Sequence, residues 1–397
     1  MSTHIHLGLA LDGAGWHPAA WREPTSRPAE LFSAGYWTDL ISTAERGTLD
    51  LVTIEDSLTL QYDRVDREDD RTDVVRGRLD ALLIAARVAP VTRHIGLVPV
   101  VTTTHTEPFH VSKALATLDH TSRGRAGWQV RTGGFGREAA QFGRREIPAL
   151  DLEALEPGEL PAFLVDLFDE AGEAIDVVRR LWDSWEDDAE IRDVEHRRFI
   201  DREKVHHIDF VGSGFSVRGP SITPRSPQGQ PVISLLAHRR VPYLLAAAHA
   251  DLVFVTPTDD ERARGILAEV GDAVVQARQS PEPLQVWADV VVFLDGPDES
   301  GADRLRRLDG RVPLETETLV FAGSAADLAD RLQSWNTLGY HGFRLRPGVA
   351  TDDVPRIADD LVPELRRRGQ HRETYPDTNL RGLIGLPTSV PNRYATA

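Results

Sequence analysis

The chain has 397 residues, 41% of them hydrophobic, a formal net charge of −17 and no cysteine. Its length and apolar content allow a large buried core, no apolar run is long enough to span a bilayer, and the acidic balance disfavours nucleic acid and anionic membranes as partners. The missing cysteines exclude disulfides, thiolate metal sites and cysteine nucleophiles.

The amino terminus, MSTHIHLGLALDGAG, has no basic segment leading into an apolar one with a cleavage site, so a cytoplasmic protein is expected. Ile5 to Leu11 reads as a first strand, followed by a Gly- and Trp-rich loop that ends in Ala20-Trp21-Arg22. Trp37, Leu40, Ile41 and Ala44 share one face of a helix that Gly47 ends, and Leu49 to Ile54 is a second strand closing in Glu55-Asp56. The charged run from Arg64 to Asp73 reads as loop and Arg76 to Val88 as helix. Ile95 to Val101 is an apolar strand with a polar tip at Thr102, Thr103, Thr104 and His105. Thr106 is the expected cap of the next helix, which carries Val111, Ala114, Leu115 and Leu118 at helical spacing. Ala126 to Val130 is the fourth strand, running into Arg131 and Thr132.

Residues 133–161 read as a long excursion over the strand tips, Ile175 to Trp185 as a helical stripe, and 186–230 as an insertion. Pro231 to Leu236, Asp251 to Val255, Leu284 to Leu294 and Gly342 to Leu345 complete eight strands. Ser324 and Asp327 form a capping box for the helix ahead of the last strand. Eight strands alternating with helices, with no Gly-rich dinucleotide fingerprint after the first, predict an α/β chain folded as a single (β/α)8 TIM barrel with insertions. Residues 370–397 form a tail with no obvious core role.

The stretch from Arg93 to Thr132 carries, in order, Ile95-Gly96-Leu97, the Thr102 to Thr104 cluster, Glu107-Pro108-Phe109, Leu118-Asp119-His120, Gly124-Arg125 and Gly127-Trp128-Gln129. In this it resembles the bacterial-luciferase-like flavin monooxygenases, in the branch with nitrilotriacetate, dibenzothiophene-sulfone and long-chain alkane monooxygenases. The likeness extends to Leu181 to Trp185, Ile208 to Pro220, Pro227 to Val232 and Asn379 to Tyr394. It implies a reaction in which reduced FMN, supplied by a flavin reductase, forms a flavin C4a-hydroperoxide with oxygen and oxygenates a small organic substrate. The alternatives are a deazaflavin (F420)-dependent oxidoreductase of the same superfamily and a non-enzymatic barrel with a decayed flavin site. A homo-oligomer is expected.

The same resemblance assigns roles. Asp56, with a helix N-cap or a loop salt bridge as its alternative, Thr102, Thr103, Gln129 and Thr132 fall near the flavin ring; independently, His17 and His105 lie on a loop and a strand tip at the same end and are catalytic candidates on the substrate side. The family's hydroxyl- and glycine-bearing phosphate turn is replaced by Leu235 to Arg240 with Pro242, so Arg239 and Arg240 are the expected phosphate contacts. Leu164, Leu167 and Phe168 stand where the family has a His and Tyr motif. No metal is expected: His206 and His207 are adjacent and point apart on a strand. Glu55, Asp56 and Asp289 would also permit a barrel glycosidase, a reading without further motif support.

Overall fold

The computed structural model describes residues 4–62, 68–150 and 160–395. Eight strands alternate with the major helices. The first half runs β1 (His6–Leu11), α1 (Ala34–Arg46), β2 (Leu51–Ile54), α2 (Ala81–Val88), β3 (Gly96–Thr102), α3 (Pro108–Ser122), β4 (Gly127–Arg131) and α4 (Ala162–Asp183). The second runs β5 (Val232–Leu236), α5 (Arg240–His249), β6 (Leu252–Val255), α6 (Asp260–Ala277), β7 (Gln285–Leu294), α7 (Ala325–Leu338) and β8 (Gly342–Pro347). An eighth helical stretch begins at Ala350–Arg356 and runs through a π turn, Ile357–Leu361, into Val362–Arg367. Each strand pairs in parallel with the next and β8 pairs with β1, so the sheet closes as the expected (β/α)8 barrel.

Closure gives every strand an inward and an outward phase of period two. The outward phase, for example Leu7 and Leu9, Val52 and Ile54, Phe343 and Leu345, packs against the helices in the main core. The inward phase divides by height. Its lower layer is apolar, with Leu51, Val98, Val232, Leu252, Phe254 and Trp287 packed against Leu380, Ile384 and Leu386 of the carboxy-terminal segment. That segment is therefore the barrel floor, which corrects the reading of a tail without a core role. Gly96 and Gly127 make room for it, since a Cβ at either would press on Leu380. Above this layer the inward phase turns polar.

The structure also shifts several predicted boundaries. Helix α2 starts at Ala81 instead of Arg76, because Asp80 caps it by accepting from Leu83 N at 2.8 Å while Arg76 and Arg78 are held in the loop by Asp69 and Asp12. The N-cap of α3 is Glu107 and not Thr106, since Pro108 occupies its first turn. Trp185 lies beyond the end of α4 at Asp183. A ninth strand of the sheet, Leu319–Gly323, was not expected: β7 is long enough to pair with β6 along its first half and with this strand along its second. Within 186–230 lie two short hairpins, Glu190–Asp193 with Arg198–Ile200 and Phe210–Val211 with Ser216–Val217.

Candidate active site

The polar inward layers converge on the carboxyl ends of the strands, the face on which barrels of this type carry ligands. Arg344 on β8 is fully buried. Its Nε and Nη2 donate to the two oxygens of Asp289 on β7 at 2.8 and 2.6 Å, and its Nη1 donates to Gln129 Oε1 at 2.6 Å and Thr53 Oγ1 at 3.2 Å. The guanidinium lies 4.0 Å from the Phe254 ring centroid. One layer higher, Arg346 donates to the same Asp289 Oδ2 and lies 4.3 Å over the ring of Trp16, whose Nε1 is fixed by Ala10 O at 3.0 Å. Burial opposes ionisation of Asp289, but the two guanidinium groups outweigh it and hold its carboxyl below the usual range. Glu55, at the tip of β2, has the opposite balance: burial dominates and pushes its carboxyl upward.

On the β3 and β4 side, Thr102 Oγ1 accepts from Arg131 Nη1 at 3.3 Å, Thr103 Oγ1 donates to Arg131 O at 3.2 Å, and Thr104 Oγ1 accepts from Gly133 N at 2.8 Å. Arg131 also donates to Glu138 at 2.6 Å. The expected threonine cluster thus latches two strand tips together. Thr132 follows at the end of β4, half-buried.

The other predicted residues are dispersed around the rim. Asp56 accepts from Ser57 N at 2.6 Å and from Ala81 N at 3.0 Å, so its carboxylate holds the start of α2. Gln129 lies below the mouth with its amide oxygen on Arg344. His17 is buried. Its Nδ1 accepts from Ala19 N at 3.0 Å and its Nε2 donates to Asp309 at 3.2 Å, which engages both ring nitrogens, and burial depresses its pKa. His105 stacks on Phe142, has a buried Nε2 without a partner, and is likewise depressed by burial. The two histidines line different cavities. That of His17, about 210 Å³, includes Trp16, Trp21, Tyr62 and Arg78; that of His105, about 200 Å³, includes Thr104, Arg144, Arg145 and Glu170. Arg239 and Arg240 are exposed at the start of α5, and Arg240 donates to Gln276 at 2.7 Å.

Arg344 and Arg346 are the residues of this candidate site that the sequence reading missed. A signal was present: in Gly342-Phe-Arg-Leu-Arg-Pro347 the arginines occupy one phase of a strand whose other phase is Phe343 and Leu345. Of the three carboxyls of the glycosidase reading, Asp289 is held by two guanidinium groups and Asp56 by two backbone amides, which leaves Glu55 without a second carboxyl to work with. Among the described residues one cluster has metal-ligand composition, His4, His6 and Asp50 at the opposite end of the barrel. It already holds a cation, since Arg372 Nη2 bonds both Asp50 Oδ1 and His4 Nε2. His206 bonds Glu186 at 2.7 Å and His207 bonds Gly219 O at 2.7 Å, on separate partners.

Comparison with known proteins agrees with this geometry. The family described as luciferase-like monooxygenase matches residues 14–342. The chain is 29% identical to N-acetyl-S-(2-succino)cysteine monooxygenase of Bacillus subtilis, over 98% of each chain. It is also 29% identical to nitrilotriacetate monooxygenase component A of Aminobacter aminovorans, over 97% of each. The crystal structure of a long-chain alkane monooxygenase superposes with a TM-score of 0.84 over 98% of each chain, at 24% identity.

Proposed function

Because this chain belongs to the luciferase-like monooxygenase family, we propose that it oxygenates a small organic substrate with reduced FMN delivered by a separate flavin reductase. The observation that carries the reading is the polar, walled mouth at the carboxyl ends of eight closed strands, set above an apolar floor. Its residues fit a flavin. His105 Nε2 and Glu138 Oε2 are buried without partners, their side chains meet that of Thr102 around Gly133 at the β3 and β4 tips, and they can serve a heterocycle rimmed by donors and acceptors. When bound, reduced flavin supplies the activation of dioxygen.

The protein's own work is binding, orientation and exclusion of water. Thr102, Thr103 and Thr132 border the ring side, and Asp56 fixes α2 beside it. Arg239 and Arg240, exposed at the first turn of α5, are the residues that would hold the flavin phosphate. His105, with a free nitrogen, is the stronger of the two histidine candidates for handling a proton. His17 instead anchors the loop after β1 to Asp309.

The test is anaerobic gel filtration of the protein with reduced FMN or with the reduced deazaflavin, followed by mixing of the retained complex with aerated buffer. Reduced FMN should co-elute and reoxidise more slowly than free flavin. Equal reoxidation rates with and without protein would overturn the monooxygenase reading, and retention of the deazaflavin alone would transfer the chain to that alternative.

A further inference from the structure

The polar interior of the barrel is unevenly matched. Asp289 is one carboxylate shared by two guanidinium groups: Arg344 uses both of its oxygens and Arg346 adds a bond to Oδ2. Arg344 is satisfied further by Gln129 and Thr53. Arg346 is not. It is 6% exposed, it makes one side-chain hydrogen bond, and its Nε is buried with no partner. Across the tip of β1, Glu55 Oε1 is also buried with no hydrogen-bond partner; the nearest cationic nitrogen, Arg344 Nη1, is 3.9 Å away. The ring of Trp16 covers one face of the Arg346 guanidinium at 4.3 Å.

We propose that Arg346 and Glu55 form an anion subsite in the barrel mouth that binds a carboxylate of the organic substrate. The site accepts an oxyanion in particular, because a guanidinium carries a planar set of N–H donors that a carboxylate matches and a hydrocarbon leaves unfilled, and the Nε donor of Arg346 is still unpaired. A buried unpaired donor is a standing cost that such a ligand removes. Glu55 decides the charge balance. It faces Arg344 and Arg346 from β8, Asp12 from the end of β1 and Arg78 from the loop before α2, and Asp12 and Arg78 are paired with each other at 2.9 Å. A ligand carboxylate beside Glu55 favours its neutral acid form, whose O–H then donates to the ligand, so binding takes up a proton. Family membership alone leaves the substrate's charge open, since relatives are named for nitrilotriacetate and for long-chain alkanes alike; Arg346 and Glu55 are what select a carboxylate in this chain. The inference rests on the monooxygenase reading only for what becomes of the ligand once it is bound.

The same chemistry is offered by the N1–C2=O edge of a reduced flavin, so the test has two arms. In the first, titration calorimetry of the full chain compares succinate with its neutral diamide, in buffers of different ionisation heat. Succinate should bind, the diamide roughly ten-fold or more weaker, and Arg346→Gln should weaken succinate by at least about ten-fold while leaving the diamide unchanged. Arg346→Lys should fall between them, which keeps the test valid if the glutamine variant does not fold. Proton uptake should accompany succinate and vanish in Glu55→Gln. In the second arm, anaerobic titration with reduced riboflavin should be unaffected by Arg346→Gln. Equal binding of succinate and its diamide, or undiminished succinate binding in both Arg346 variants, overturns the subsite. Loss of reduced-riboflavin binding in a protein that never bound succinate overturns it as well, by assigning the arginine to the flavin. Succinate binding that follows the expected pattern in a protein retaining no flavin supports the subsite and removes the monooxygenase reading instead.

Discussion

Asp50 shows how a single buried carboxylate can govern stability far from the chemistry. It precedes β2 at the floor end, where Leu7 N donates to it at 2.7 Å, His6 Nδ1 at 3.1 Å, and Arg372 completes the set. Burial alone would raise its pKa, but His6 and Arg372 outweigh burial and bring it from 3.8 to about 2. A depressed folded-state pKa contributes stability that is full above the unfolded value and disappears as pH falls toward the folded one. Asp50 should therefore contribute on the order of 2 kcal/mol at neutral pH, lost between about pH 4 and pH 2. Urea unfolding of Asp50→Asn should show lower stability at pH 7 and a flatter profile across that window; an unchanged profile would remove Asp50 from the acid transition. Asp289 is the contrasting case at the mouth, where one carboxylate serves two cations.

At the scale of elements, the floor is the feature with the sharpest test. Gly96 and Gly127 admit Leu380 into the barrel, and Asn379 caps the short helix Leu380–Leu383 by accepting from Gly382 N at 3.0 Å. Gly96→Ala should destabilise by roughly 1–3 kcal/mol through overpacking, and Leu380→Ala by about 2–5 kcal/mol through the cavity it leaves. The double variant should lose less than the sum, because the new methyl occupies the vacated space; additive losses in urea denaturation would separate the two positions. The eight barrel strands were legible in the sequence because strands buried on both faces read as short apolar runs. The strand Leu319–Gly323 was not, since all five of its residues are half-exposed and it follows the polar Glu315-Thr316-Glu317-Thr318. The floor was hidden too, because Leu380, Leu383 and Ile384 keep helical spacing for barely one turn, broken by Gly382 and Gly385 and stopped by Pro387, too short a stretch to stand out as an element. Motifs that carried the resemblance prove largely to be scaffold: Asp119 accepts from Ala126 N and Gln228, and buried Arg125 donates to the carbonyls of Ala89, Thr92, Ile95 and Ser122. The strand tips of the site could be read in advance. Its arginines were missed although their phase was there to read: Arg344 lay inside the predicted strand, and Arg346 one residue beyond the Leu345 at which that strand was ended.

For the molecule as a whole, the floor closes the amino end of the barrel and, among the described residues, makes it a well that opens at the carboxyl ends of the strands. Leu380 and Ile384 are fully buried against the lower layer of inward side chains, and the Arg344–Asp289–Gln129 layer fills the interior above them. Under the proposed function, flavin, oxygen, substrate and product would share that doorway, and whatever rests nearer the floor would queue behind whatever rests above it. Traffic through such a site is last in, first out. If the subsite at Arg346 is the inner position, riboflavin bound above it should slow the departure of succinate to no more than the rate at which riboflavin itself departs, as read by stopped-flow displacement. An escape rate for succinate that ignores the riboflavin would mean that the well has a second exit.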